Sequence, residues 1–203
     1  MITANALLRQ VPTWQRELAQ AVTDPEELLR ILELDLALLP AARMATQSFP
    51  LRVPRGFIAR MRKGDPEDPL LRQVLPLAAE LESVPGFVSD PVGDQGAQAA
   101  PGVLHKYRGR ALLIVTDACA VHCRYCFRRE FPYAGIHVDA DAWQPALTYI
   151  ASDTSIREVI LSGGDPLALS DRRLGVLLAG LDRIPHLERL RIHSRLPVVL
   201  PER

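Results

Sequence analysis

With 203 residues and 48% hydrophobic content, the chain is long enough for one domain of ordinary size, or for part of a larger one, with a real core. Lysine plus arginine balance aspartate plus glutamate at 24 each, so zero formal charge gives no sign of a nucleic acid or anionic membrane partner. No apolar run approaches the roughly 20 residues of a membrane span, and Met1 to Arg16 lacks a basic stretch followed by an apolar one, so a cytoplasmic protein with free thiols is expected.

Residues 1–84 read as a helical region. A helix is expected over 23–39, with Thr23 or Asp24 as cap, Pro25 in the first turn, a leucine-rich face and Pro40 closing it. A short helix should follow Pro54 and stop at Gly64-Asp65-Pro66, and a third candidate covers Pro69 to Leu81. These helices carry no obvious chemistry and are expected to form a cap on the remainder of the chain. Residues 85–102, rich in Pro, Gly, Asp and Gln, read as a linking loop.

From residue 103 strands and helices alternate. Ala111 to Val115, Arg157 to Leu161 and Leu187 to Ile192 are strand candidates, and a fourth strand is expected to begin at Val198. Asp141 to Ile150 and Asp171 to Leu181 read as helices. This alternation predicts an α/β fold with parallel strands and right-handed crossovers.

All three cysteines, Cys119, Cys123 and Cys126, follow the first of these strands with C-x3-C-x2-C spacing. An odd number of cysteines without a secretory signal argues against a disulfide framework. Three thiolates on one loop can converge on one metal centre, and they leave one iron of a four-iron cluster open. A structural zinc held by the three cysteines and one histidine is the alternative, with His105, His122 or His137 as fourth ligand. Ser162-Gly163-Gly164-Asp165 and His193-Ser194-Arg195 end the next two strands, so all three distinctive signals fall at strand ends.

The cysteine spacing, with Tyr125 just before the last cysteine, resembles the signature of radical S-adenosylmethionine enzymes. The string Cys-Arg-Tyr-Cys-Phe-Arg-Arg-Glu-Phe-Pro-Tyr, residues 123–133, resembles the lysine 2,3-aminomutase family, in the branch that makes (R)-β-lysine for elongation factor P (EF-P). The resemblance runs from about Asp24 to Arg203. It implies the first half of a partial (β/α)6 TIM-like barrel at 103–203, behind an N-terminal helical cap. It further implies that Cys119, Cys123 and Cys126 ligate a [4Fe-4S] cluster whose open iron binds S-adenosylmethionine. One electron, from a donor such as flavodoxin or ferredoxin, then generates a 5′-deoxyadenosyl radical, which starts a 1,2-amino shift on L-lysine.

Residue by residue, the resemblance places Gly163, Gly164 and Asp165 against the amino group of S-adenosylmethionine. An ordinary strand-to-helix turn would use the same residues. Lys106, Tyr107 and Arg110, just ahead of the first predicted strand, match positions that hold the phosphate of pyridoxal 5′-phosphate. Lys106 stands where arginine is common, and a solvated basic turn is the plain alternative. Arg128 matches the arginine that grips the α-carboxylate of lysine. Arg129 is expected to be structural or solvent-facing, His122 to lie at most behind the ligand set, and His193 to be a satisfied core or rim histidine. Arg195 has no assigned role.

The chain ends at Arg203, where family members continue into the region that carries the cofactor-binding lysine. It is therefore expected to be an N-terminal portion or a truncated gene product, inactive alone. Its only lysines are Lys63 and Lys106. Two other readings stand beside this one: an aminomutase releasing β-lysine for another fate, and a non-catalytic metal-binding module built on the three cysteines.

Overall fold

The computed structural model describes residues 12–133 and 143–203. Their centre is one five-stranded sheet in the order β1 (Gln98–Ala100), β2 (Val103–Tyr107), β3 (Arg110–Thr116), β4 (Glu158–Gly163) and β5 (Arg189–Ile192). The first three strands run antiparallel, and β3, β4 and β5 run parallel. The turn joining β2 to β3 has only Arg108 and Gly109 between Tyr107 and Arg110. Gly109 takes φ +82°, the left-handed geometry that tight hairpins need.

Alternation along the strands sorts the two faces. Ala111, Leu113, Val115, Val159 and Leu161 are buried with Ala146 and Ile150 of α5 (Gln144–Ser152) and with Leu177 and Leu181 of α6 (Asp171–Asp182). Ser170 caps α6 by accepting from Arg173 N at 3.4 Å. On the opposite face lie Leu104, Leu112 and Ile114, with Phe131 against them. Leu104 and Leu112 on that face floor the cleft that holds Lys106 and Arg128.

The N-terminal layer holds α1 (Thr13–Ala19), α2 (Pro25–Ile31), α3 (Leu39–Ser48) and α4 (Arg55–Ile58). Leu28, Leu29, Phe57 and Ile58 share a core with Ala120 and Val121 of the cysteine loop and with Leu196, Val199 and Leu200. Each of the larger side chains, the leucines, valines, Ile58 and Phe57, contributes about 1.5–3 kcal/mol when fully buried. The helical layer is thus built onto the cysteine loop itself.

Several expectations from sequence are corrected. The helix expected over 23–39 ends at Ile31, because Glu33 turns into left-handed backbone at φ +55°. Asp24 does cap it, accepting from Glu26 N at 3.0 Å. Pro40 opens α3 instead of closing α2, since a first-turn proline forfeits no helical hydrogen bond. The stretch 69–81 holds only two 3-10 turns, Leu71–Gln73 and Ala78–Leu81, on either side of Pro76. Strand β1 lies within the segment read as a linking loop, and Lys106 and Tyr107 lie in β2 instead of before the first strand. In place of a strand from Val198, residues Leu196–Val199 form a short helix, α7, with Pro197 in its first turn. The expected helix start at Asp141 lies outside the described residues, as does His137.

Candidate active site

The cysteine loop leaves β3 at Thr116 and is pinned from both sides. Thr116 Oγ1 accepts from Ala118 N at 3.1 Å. His122 N donates to Arg52 O at 2.9 Å, and Arg124 N donates to Gln73 O at 2.8 Å. All three cysteines are free and half-buried. Burial pushes the Cys119 thiol up to about 12, and the Asp165 carboxylate and the two other cysteines push in the same direction. Burial also raises Cys123, against the pull of the Arg195 guanidinium.

Among the described residues, no three Cys, His, Asp or Glu side chains stand gathered closely enough to hold a metal as they are. The raised thiols of Cys119 and Cys123 would give up their protons on binding a metal. The donor chemistry nevertheless fits an iron–sulfur centre: three soft ligands on one loop, none consumed by a disulfide. Cys119, Cys123 and Cys126 would hold it. Two of the three candidate zinc histidines lie among the described residues, and each engages Nδ1 elsewhere, His105 with the Tyr149 hydroxyl at 2.8 Å and His122 with Pro50 O at 2.9 Å.

A charged brace ties this loop to the N-terminal layer. Glu80 Oε1 accepts from Arg124 Nε at 2.8 Å and from Leu77 N at 3.0 Å, and Oε2 accepts from Arg129 Nη1 at 2.9 Å. Both guanidiniums lie 4.9 Å from the Phe49 ring centroid. Burial works to raise the Glu80 carboxyl, but these hydrogen bonds outweigh it and hold the group below its ordinary value. Arg129 is thus tied into this brace.

The end of β4 presses against the start of the same loop. A Cβ on Gly163 would come within 2.5 Å of Thr116 O, and one on Gly164 within 2.4 Å of Ala118 O. Close backbone approach alone accounts for both glycines. Asp165 is buried, and its carboxylate accepts from Leu167 N at 3.0 Å, Ser194 Oγ at 3.0 Å, Arg195 N at 2.7 Å and Leu196 N at 3.2 Å. Three of those bonds fall on Oδ2 and one on Oδ1, so Oδ1 keeps room for a further donor. Asp165 thus braces the segment after β5. His193 is exposed on that same segment.

Lys106, Tyr107, Arg110 and Arg128 come together around one cleft of about 230 Å³, floored by Leu104, Leu112 and Ile160. Asp94 sits among them. Its Oδ2 accepts from Arg128 Nε at 2.7 Å, and its Oδ1 accepts from the Lys106 ammonium. Arg128 Nη1 also donates to Ser162 Oγ at 3.0 Å. Burial works to raise the Asp94 carboxyl, but Lys106 and Arg128 hold it below the usual range. Three cations against one carboxylate leave two net positive charges over an apolar floor. Asp94, Glu80 and the contacts of Arg195 were all missed from sequence. Asp94 lies in an aperiodic segment, and nothing local marks it.

The radical SAM superfamily matches residues 113–203 of this chain. Over its full length the chain is 52% identical to L-lysine 2,3-aminomutase of Escherichia coli, covering 59% of that protein. It is 46% identical to the Haemophilus influenzae protein of that name, again over the full chain, covering 60% of that protein. Against the Clostridium subterminale protein identity is 34% over 94% of this chain and 46% of the relative. The chain therefore spans about three fifths of the length of the first two relatives. The cysteine loop at the end of β3 thus opens a region, residues 113–203, that matches the radical SAM superfamily, and the chain as a whole is similar to proteins named L-lysine 2,3-aminomutase.

Proposed function

We propose that this chain supplies the cluster-binding and anion-binding part of an aminomutase that converts L-lysine to (R)-β-lysine. The observation that carries the reading is the cleft that gathers Lys106, Tyr107, Arg110 and Arg128 beside the cysteine loop. In it, Lys106, Tyr107 and Arg110 hold the phosphate of pyridoxal 5′-phosphate, and Arg128 receives the α-carboxylate of lysine. Two net positive charges suit a phosphate dianion, and a guanidinium suits a planar carboxylate. Cys119, Cys123 and Cys126 hold a [4Fe-4S] cluster, and the Gly163–Gly164 backbone lines the position of S-adenosylmethionine. When bound, these groups supply a radical that removes hydrogen from lysine and a carbonyl that carries the migrating nitrogen. The chain's own residues bind, orient and exclude water.

In this reading the parallel strands belong to a partial (β/α)6 barrel capped by the N-terminal helices, and the cluster takes its electron from a flavodoxin or ferredoxin. The product serves EF-P through its lysyl ligase in the cytoplasm, where free thiols persist. Among the described residues no helix is long and apolar enough to cross a membrane.

The cleft is tested by titrating the protein with pyridoxal 5′-phosphate and with pyridoxal, following absorbance. The phosphate ester is expected to bind at least tenfold more tightly, and Arg110→Ala should erase the difference. Equal affinities in the unaltered protein would overturn the phosphate assignment.

A further inference from the structure

Arg195 is held in place from behind. The buried Asp165 carboxylate accepts from Arg195 N at 2.7 Å and from both neighbouring residues, Ser194 Oγ at 3.0 Å and Leu196 N at 3.2 Å. From that anchor the side chain reaches across to the cysteine loop. Its Nη1 donates to Cys123 Sγ at 2.8 Å and to the Tyr125 hydroxyl. Its Nη2 donates to Gln73 Oε1 at 2.6 Å, and its guanidinium lies 5.5 Å from the Tyr125 ring centroid. Gln73 in turn accepts the Arg124 amide through its backbone oxygen. Asp165 therefore holds the backbone of Arg195, while two other parts of the chain, the cysteine loop and the N-terminal layer, fix its guanidinium.

Among the described residues, Arg195 forms no ion pair with a carboxylate. An arginine is always charged, and a half-buried cation without a counter-anion is costly. The one partner of Arg195 that becomes an anion in a metal centre is the Cys123 sulfur.

We propose that Arg195 is a positioning residue for the iron–sulfur centre, whose N–H···S bond to Cys123 makes that centre easier to reduce. This rests on the reading that Cys123 is an iron ligand. Taking up one electron adds one negative charge to the centre. A fixed cation bonded to a ligand sulfur stabilises the reduced form more than the oxidised form, and hydrogen bonds to sulfur are among the features that set cluster potentials. The electron comes from a low-potential donor of the flavodoxin or ferredoxin kind, with dithionite taking its place in the test.

The test uses the full chain reconstituted anaerobically with iron and sulfide. Iron and sulfide are counted first, and the midpoint potential is then read by redox titration followed by electron paramagnetic resonance. Arg195→Gln is expected to retain iron while its equilibrium constant for reduction falls about tenfold, equivalent to about 59 mV for one electron. Arg195→Lys should recover part of the loss by keeping the charge. An unchanged midpoint in Arg195→Gln at full iron content would overturn the proposal while leaving the ligand reading intact. If the unaltered chain takes up zinc alone, the ligand reading falls first, and the proposal with it. Should Arg195→Gln fail to hold iron, Gln73→Leu carries the test, because it frees Nη2 without touching the charge. Its midpoint is expected to drop by less than tenfold in the same equilibrium constant, and no drop would again overturn the proposal.

Discussion

Replacing Glu80 by glutamine keeps the size of the side chain and the acceptor for Leu77 N, but removes the charge shared by two guanidiniums. The Arg124 side chain is only 6% exposed and that of Glu80 only 14%, so the pair is largely out of water. Losing one partner of a buried pair costs about 3–5 kcal/mol. Here Arg124 keeps Phe49 O at 2.8 Å, and Arg129 keeps Glu130 and the Phe49 ring. The loss should therefore fall lower, at about 2–3 kcal/mol, a large share of the roughly 5–15 kcal/mol of a typical domain. Thermal melts followed by circular dichroism at pH 7 should show a drop of roughly 5–10 °C for a chain of this size. The sign with pH follows from the depressed carboxyl. The ionised Glu80 stabilises the fold above its ordinary value of 4.5, and that contribution disappears as pH falls through the lower folded value. The gap between the two proteins should therefore narrow in acid. A variant within about 0.5 kcal/mol of the parent at pH 7, the range of ordinary surface substitutions, would refute the brace.

Replacing any one of Cys119, Cys123 or Cys126 by alanine should abolish the [4Fe-4S] signal in electron paramagnetic resonance; a variant that keeps a full, S-adenosylmethionine-responsive cluster would strike that residue from the ligand set. Gly164→Ala forces a Cβ to 2.4 Å from Ala118 O and should cost about 1–3 kcal/mol in chemical denaturation. Gly175→Ala on α6 is the control: it meets nothing within 4 Å and should be neutral or stabilising by up to about 1 kcal/mol. Arg128→Ala should weaken lysine binding by about 2–5 kcal/mol in calorimetry while S-adenosylmethionine affinity stays within a few-fold; unchanged lysine affinity would leave Arg128 as a partner of Asp94 and Ser162 alone.

The parallel strands and α6 were legible because their signals are local. Runs such as Ala111–Val115, and the leucines spaced along α6, declare a period within a few residues. What failed did so for identifiable reasons. The break after α2 depends on Glu33 in left-handed backbone, a conformation that glycine or asparagine would have advertised and glutamate does not. Pro40 is compatible with either the end of one helix or the first turn of the next. Strand β2 is short, and His105 and Lys106 in its second half mask its alternation. The cysteines were visible as a spacing. Their surroundings were not, because those contacts span long stretches of chain: Asp94 meets Arg128 across 34 residues, and Arg195 meets Cys123 across 72.

Those long contacts make the cleft and the cysteine loop one mechanical unit. Arg128 stands two residues after Cys126, yet its side chain crosses into the cleft and ends between Asp94 and Ser162. Ser162 directly precedes the glycine pair, whose backbone is pressed onto Thr116 and Ala118 at the root of the same loop. A shift that moves the cysteines toward a metal therefore pulls on Arg128, whose Nε is held by Asp94 and whose Nη1 is held by Ser162. Asp94 also holds Lys106, so one carboxylate keeps the two cations in register while no anion is bound. Because that carboxylate already offsets part of the repulsion between them, an incoming anion gains less than the bare count of cations suggests. The two positive charges that Asp94 leaves uncompensated match a dianion better than a lone monoanion.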